Sequence, residues 1–257
     1  TQILASGVKS ISAGKNHTLV VRNDGSLWGT GANMNYQLGL NDDNNRSQLT
    51  EIVSSGVRYA SAGSNHSFFI KEDGSLWGMG ANEYGQLGTG NQNLKKVPVE
   101  IISSGVRQIS TAWSHSLFIK NDGSVWGMGN NKWSGGGAVG RLGLGNLVKT
   151  PTPIQLIKSG AKEVNSFGNV SFILMLDGTL LGSGDNSHGQ LGLGDLNGCD
   201  TFTQVSTGVM RIAGVMNNEH IVPSADNMEM LWVDPGTFTM GSPVTEVGRT
   251  TWETEHN

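Results

Sequence analysis

Short apolar triplets punctuate this chain at regular intervals: Leu19-Val20-Val21, Phe68-Phe69-Ile70, Leu117-Phe118-Ile119 and Phe172-Ile173-Leu174. A strand with one wet face alternates apolar and polar residues with a period of two, and these do not. They predict strands buried on both faces, as happens when one small sheet is sandwiched between two others. Three positions after each triplet comes an Asp-Gly pair: Asp24-Gly25, Asp73-Gly74, Asp122-Gly123 and Asp177-Gly178. Such a pair predicts a tight hairpin turn, because Gly25, Gly74, Gly123 and Gly178 can take the positive φ that the turn requires. The strand after the first turn is Ser26-Leu27-Trp28-Gly29-Thr30-Gly31, with paired glycines on one face where another backbone can approach. Val8 to Gly14 and its copies predict a strand upstream. Val99-Glu100-Ile101-Ile102 and its counterparts Ile3-Leu4, Glu51-Ile52-Val53 and Ile154-Gln155-Leu156-Ile157 predict a fourth. The Asp-Gly pairs fall 49, 49 and 55 residues apart. Four short antiparallel strands per repeat of this length predict the blade of an all-β propeller.

The residues that carry this pattern also carry a resemblance. Ala-Gly-x-Asn-His-(Thr/Ser), then Asp-Gly-Ser-(Leu/Val)-Trp-Gly-x-Gly, then Gln-Leu-Gly, as in Ala62 through Gly88, resemble the repeat of the regulator of chromosome condensation family. The resemblance implies a β-propeller of the kind that closes with seven blades in that family. It extends over residues 1–222, in approximate copies 7–55, 56–104, 105–159 and 160–207 and a partial copy 208–222. The fourth copy has Leu181 in place of the Trp and Val170 in place of the His, and the fifth has no Asp-Gly turn. Four blades and part of a fifth leave the ring incomplete, and the expectation is that further repeats of a parent chain complete it.

Composition narrows the function classes. The 38 glycines among 257 residues recur at fixed repeat positions, so they are backbone devices and not low complexity. A net charge of −4 argues against a nucleic-acid surface, which is normally a basic stripe. The one cysteine, Cys199, permits no internal disulfide, and no apolar run reaches the ~20 residues that span a bilayer. The chain opens at Thr1 inside a repeat, so we read it as a fragment. An extracellular or cell-surface setting is expected ahead of a cytoplasmic one. Residues 223–229 read as a polar linker. From Met230 to Ser242, Met-Leu-Trp-Val-Asp-Pro-Gly-Thr-Phe-Thr-Met-Gly-Ser resembles the opening of the sulfatase-modifying domain of formylglycine-generating enzymes. That segment, 230–257, is too short to bury a core of its own. It is expected to be disordered or to add an edge strand through Leu231-Trp232-Val233. The reactive cysteines of that family lie far downstream in its domain, so no catalytic residue is carried over here.

The remaining candidates are weighed against the repeat. His17, His66 and His115 recur 49 residues apart and share the same neighbours, which predicts a repeated hydrogen bond bracing each blade, not a metal or catalytic cluster. Trp28, Trp77 and Trp126, beside paired glycines, predict blade packing. Asp42-Asp43-Asn44-Asn45 and Asp195-Leu196-Asn197-Gly198 complete no calcium-loop spacing and read as turns. No metal, cofactor or catalytic triad is expected. One stretch departs from the repeat: six extra residues lie between Gly129 and Gly143, in a Gly-rich loop containing Lys132, Trp133 and Arg141. Trp and Arg are enriched at binding hot spots, so these three residues form the candidate interaction loop. The expected function is a non-catalytic propeller that binds a protein or polymer partner through its blade-rim loops, with neither nucleic acid nor membrane. A targeting module of a larger formylglycine-generating-type enzyme is the alternative. A nucleotide exchange factor for a small GTPase, which the family resemblance implies, is the third.

Overall fold

The computed structural model describes residues 7–133, 139–146 and 148–212, together with strands at 230–233 and 237–240. Four four-stranded antiparallel sheets follow one another along the chain, each with its strands side by side in chain order. Blade 1 holds β1 (Val8–Ala13), β2 (His17–Arg22), β3 (Leu27–Gly31) and β4 (Arg46–Val53); blade 2 holds β5 (Val57–Ala62), β6 (His66–Lys71), β7 (Leu76–Gly80) and β8 (Lys95–Ile102). Blade 3 holds β9 (Val106–Thr111), β10 (His115–Lys120) and β11 (Val125–Asn130). A separate small hairpin of β12 (Lys132–Trp133) and β13 (Val139–Gly140) then precedes its fourth strand, β14 (Lys149–Ile157). Blade 4 holds β15 (Ala161–Phe167), β16 (Val170–Met175), β17 (Leu180–Gly184) and β18 (Cys199–Ser206). This is an unclosed all-β propeller of four blades, and the beginning of the fifth copy docks on the fourth. There Val209 N–H donates to Gly178 O at 3.0 Å, Lys162 Nζ to Met210 O at 2.6 Å, and Ile212 N–H to Glu163 Oε2 at 2.9 Å.

The apolar triplets behave as their lack of alternation predicts. In β6, Phe68 and Ile70 join Leu76 and Leu87 in a core shared with Val106, Ile109, Phe118 and Met128 of blade 3. Phe69 points the other way, into a core with Leu19, Val21, Leu27 and Leu38 of blade 1. Leu117 and Ile119 of β10 likewise face Ala161, Val164 and Ile173 of blade 4. The hydrophobic core therefore lies in the seams between blades and not within any one of them. At about 25 cal/mol per Å² of apolar surface removed from water, these seams are what holds the arc together.

Trp28, Trp77 and Trp126 lie on the blades, opposite Val20, Phe69 and Phe118 of the neighbouring strand. Trp77 stacks on Phe69 with ring centroids 6.1 Å apart, and Trp126 on Phe118 at 6.3 Å. Arg22, Lys71 and Lys120 lay their cations over the indoles at 4.2, 4.2 and 4.8 Å. Each indole N–H donates to the serine after the Asp-Gly turn, Ser26, Ser75 or Ser124, at 2.8–2.9 Å. The same serines hydrogen-bond Asp24, Asp73 and Asp122 through their hydroxyls and then through their backbone N–H, and these bonds hold the three carboxyls below the usual range. Indole, hydroxyl and carboxylate thus form one relay that ties the turn to the sheet.

The hairpin glycines carry a second duty. The first N–H of each following blade donates to the turn: Val57 to Gly25 O at 2.8 Å, Val106 to Gly74 O at 3.0 Å and Ala161 to Gly123 O at 3.1 Å. A Cβ on Gly25 would sit 2.9 Å from Gly56 N, so glycine answers both the positive φ of 79° and the close approach of the next blade.

Two strands are described after residue 229. Met230–Val233 (β19) forms an antiparallel two-stranded sheet with Thr237–Met240 (β20), with Trp232 opposite Phe238. Among the described residues Leu231-Trp232-Val233 pairs with β20 and with no blade edge, and the rest of the segment expected to be disordered lies outside them.

The paired glycines of β7 separate two kinds of constraint. A Cβ on Gly78 meets side chains, with Phe68 Cε1 at 2.9 Å, whereas on Gly80, at φ +99°, it meets the backbone oxygen of Asn65 at 2.7 Å. Gly78→Ala is expected to cost about 1–3 kcal/mol through overpacking, and Gly80→Ala more, because neither its φ nor a backbone oxygen can yield. Urea denaturation of the two variants checks the order.

Candidate interaction face

In every blade the chain turns between the first and second strands and between the third and fourth at the same end. The Asp-Gly hairpins lie at the opposite end. The face bearing the first set of turns is the one on which loops vary, and it is built from a few repeated side chains.

Asn33, Asn82, Asn131 and Asn186, all fully buried, organise the loops after the third strands. Each Oδ1 accepts the N–H of the leucine in the Gln-Leu-Gly motif or its copy: Leu38 and Leu87 at 2.9 Å, Leu142 at 2.6 Å and Leu191 at 2.8 Å. Each Nδ2 reaches a carbonyl further along the loop, of Asp42, Asn91, Asn146 or Asp195. Gln37, Gln86 and Gln190 add an acceptor, taking the N–H of the residue two before them at 2.9 Å. In the sequence the four asparagines were marked only by their recurrence with the repeat. Asp42 belongs to the same loop. It is held by Arg46 Nη1 and Nη2 at 3.0 and 2.7 Å and by Asn44 N–H at 2.9 Å, and these bonds pull its carboxyl down to about 2. Among the described residues, no three His, Cys, Asp or Glu side chains gather as metal ligands would.

The histidines brace the molecule, but across seams and not within blades as expected. His17 Nε2 meets Ser67 Oγ of blade 2 at 2.8 Å, His66 meets Ser116 of blade 3 at 3.1 Å, and His115 meets Ser171 of blade 4 at 2.9 Å. Ser67 and Ser116 donate their hydroxyl protons back to Gln37 O and Gln86 O at 2.7 and 3.0 Å. Each of those hydroxyls therefore accepts from histidine, so Nε2 carries the proton and the ring is neutral. Nδ1 of all three rings is buried without a partner among the described residues. Burial pushes the histidine pKa down to about 4 for His17 and about 3 for His66 and His115. In blade 4 the donor is replaced by Val170, and Asn169 Oδ1 beside it has no partner among the described residues. The pattern of one histidine per blade showed a structural bond, but its partner lies 50 or 56 residues away and was not legible.

The six-residue insertion forms the β12–β13 hairpin, with Lys132 paired to Gly140 and Trp133 to Val139. Lys132 is exposed on it. Arg141 is not an outward contact: it is 3 % exposed, which corrects the expectation that groups it with Lys132 and Trp133. The reason lies in the repeat, since Arg141-Leu142-Gly143 is the third copy's version of Gln-Leu-Gly and its first residue points into the seam. A guanidinium cannot accept the N–H that Gln37 or Gln86 accepts, so it donates instead, from Nη1 to Ser114 Oγ at 2.6 Å. Burial pushes its pKa down to about 10, opposed by the nearby Tyr84 and by the Asp185 carboxylate of blade 4. Asp185 stands where the first two copies have Ala32 and Ala81, so the two charged departures from the repeat act on one another electrostatically between blades 3 and 4.

The turns between first and second strands also vary. Where blades 1 and 2 have Lys15 and Ser64, blade 3 has Trp113, 52 % exposed, and in blade 4 Phe167 precedes the turn at 71 % exposed.

The neutral histidines set a pH dependence. In the unfolded chain a histidine titrates near 6.5, whereas in the folded protein these take a proton only near pH 4 and pH 3. As pH falls below about 6.5, the unfolded state binds protons first, so the clasps' contribution is full above that pH and drains away toward pH 3. The urea midpoint is expected to drop steadily over this window. In a His66→Gln, His115→Gln variant, which keeps an amide donor at each clasp, the drop is expected to be shallower. An equal slope in both proteins would show that the histidines do not set it.

Two models of the regulator of chromosome condensation (RCC1) repeat match the chain, one over residues 24–70 and 73–119, the other over 8–37 and 57–86. No curated protein matches the sequence significantly. Among solved structures, human WBSCR16 superposes with a TM-score of 0.63 at 22 % identity, covering 77 % of this chain and 51 % of that one. Prp20p from Saccharomyces cerevisiae, described with its binding to Gsp1p and histones, gives a TM-score of 0.67 at 18 % identity over 80 % and 52 %. The same yeast protein bound to Kap60 gives 0.66 at 18 % identity over 81 % and 50 %. This chain therefore spans about half the length of these structures. Residues 8–119 match models of the regulator of chromosome condensation repeat, and the chain has the fold of that propeller.

Proposed function

We propose that this chain is a non-catalytic propeller scaffold that binds a protein or polymer partner through the loops of one face, with the blade 3 insertion as principal contact. One observation carries the reading. On a frame whose other loops are held by near-identical Asn and Gln bonds, among the described blades only blade 3 adds a hairpin, and Lys132 is exposed on it. Loops on a rigid repeat frame are where such proteins place recognition. The repeat histidines support a non-catalytic role for this region, because each is buried, neutral and committed to a seam serine. That solved neighbours with this fold are described bound to proteins agrees with a protein partner.

A second reading rests on the segment from Met230, whose sequence resembles the opening of a sulfatase-modifying domain and whose first strands pair as a hairpin. On that reading the propeller positions such a domain on its substrate, and the parent gene beyond Asn257 would encode the rest of it. An early stop codon there would remove this reading.

The scaffold reading is tested by affinity capture with the full chain, followed by titration of the purified partner. Lys132→Ala and Trp133→Ala together are expected to weaken partner binding tenfold or more while leaving the thermal midpoint unchanged. Arg141→Ala is expected to do the reverse, lowering stability by about 1–3 kcal/mol because it removes the buried charged donor to Ser114 Oγ. Unchanged affinity in the double variant would overturn the reading.

A further inference from the structure

The first strands of the four blades, β1, β5, β9 and β15, line a cavity of about 220 Å³ along the inner side of the arc. Its wall is uncharged. The polar groups on it are hydroxyls and amides, Ser12, Ser61, Ser110, Thr111 and Ser166 with Gln108 and Asn165, and the apolar ones are small aliphatic side chains with Tyr59 and Phe167.

The hydroxyls are stitched from blade to blade. Ala62 N–H donates to Ser12 Oγ at 2.9 Å, Ser61 and Thr111 share a bond of 2.7 Å, and Ser110 Oγ accepts both Ser166 N–H at 2.9 Å and Ser166 Oγ at 3.2 Å. This arrangement leaves a surplus of donors. Ser12 and Ser110 act only as acceptors in these bonds, and the Ser61–Thr111 pair uses one of its two protons. Three hydroxyl protons on the wall thus have no acceptor among the described residues, together with lone pairs on the same oxygens. Such groups suit a ligand that both accepts and donates at each position.

The end of the wall supplies the complementary apolar element. Phe167, a lining residue, is 71 % exposed, and Trp113 lies in the turn that leaves β9 directly after Thr111. An exposed aromatic ring beside hydroxyl donors, with no formal charge on the wall, matches the two-sided chemistry of a pyranose: C–H groups for the ring face and hydroxyls for the hydroxyls. A charged polymer finds no counter-charge here. An extended peptide finds no large apolar recess for its side chains.

We propose that this axial groove binds a neutral oligosaccharide, with Phe167 as the stacking platform and Ser12, Ser61, Ser110 and Thr111 as donors and acceptors. It rests on the scaffold reading only in taking the loop-bearing face as the binding face, and it names a different site and the polymer class.

The test titrates the full chain with cellohexaose, maltohexaose and chitohexaose, following tryptophan fluorescence and heat, with an oligogalacturonate and a neutral hexapeptide as controls. At least one neutral hexaose is expected to bind. Phe167→Ala is expected to weaken it tenfold or more at an unchanged thermal midpoint, since the ring is exposed, and Ser110→Ala to weaken it severalfold. The Lys132→Ala, Trp133→Ala variant is expected to bind the sugar normally, which separates this site from the partner loop. No binding by any hexaose at millimolar concentration, equal affinity in Phe167→Ala, or tighter binding of the acidic or peptide control would each overturn the proposal.

Discussion

A four-stranded blade with apolar residues on both faces cannot be stable alone, because each face stays dry only against another blade. Every other feature of this molecule follows from that constraint. Phe69 commits blade 2 to blade 1 while Phe68 and Ile70 commit it to blade 3, so each triplet serves two seams at once. Burial by itself is non-directional and would allow blades to slide. Directional bonds at the two ends of each seam remove that freedom. At the hairpin end the next blade's N–H docks on a glycine carbonyl; at the loop end a histidine reaches the next blade's serine. With stability residing in nearest-neighbour seams, the loops are released to vary.

The seam between blades 3 and 4 shows how that freedom has been used. Arg141 replaces a glutamine, Asp185 an alanine, and Val170 the histidine that would continue the series. Isolated in a seam, any one of the charged changes would be costly, since a buried charge without compensation is destabilising. Together they place opposite charges beside one another beneath the insertion. Through Ser114, Arg141 also ties the base of the inserted hairpin to the neighbouring turn that carries Trp113. The blade that departs furthest from its siblings on the surface thus has the most altered support below it.

This arrangement separates mechanical from recognition chemistry. The repeat residues most readily taken for sites, His17, His66 and His115 with Trp28, Trp77 and Trp126, are engaged in seam bonds and indole–serine bonds that recur from blade to blade. The residues that break the repeat and reach solvent, Lys132, Trp113 and Phe167, lie on or beside the loops of one face, next to an uncharged groove lined with hydroxyls. An arc with one variable face is what the proposed binding role requires.

Strand positions, the tight turns and the period near fifty residues were legible in the chain itself, because each depends on neighbours a few residues apart: a doubly buried triplet, an Asp-Gly pair, a glycine at positive φ. The blade architecture followed from their repetition. The sequence reads the histidines as structural, since they recur with the same neighbours, and the direction of their bonds was decided only by the folded seam. Arg141 makes the same point more sharply. Read along the chain it belongs to a Gly-rich insertion; read in space it fills the slot of a repeat glutamine and turns inward against Ser114 and Asp185. Local propensity sets which elements form, whereas the fate of a long side chain depends on which distant surface covers it, and in a propeller that surface belongs to the next blade, some fifty residues away.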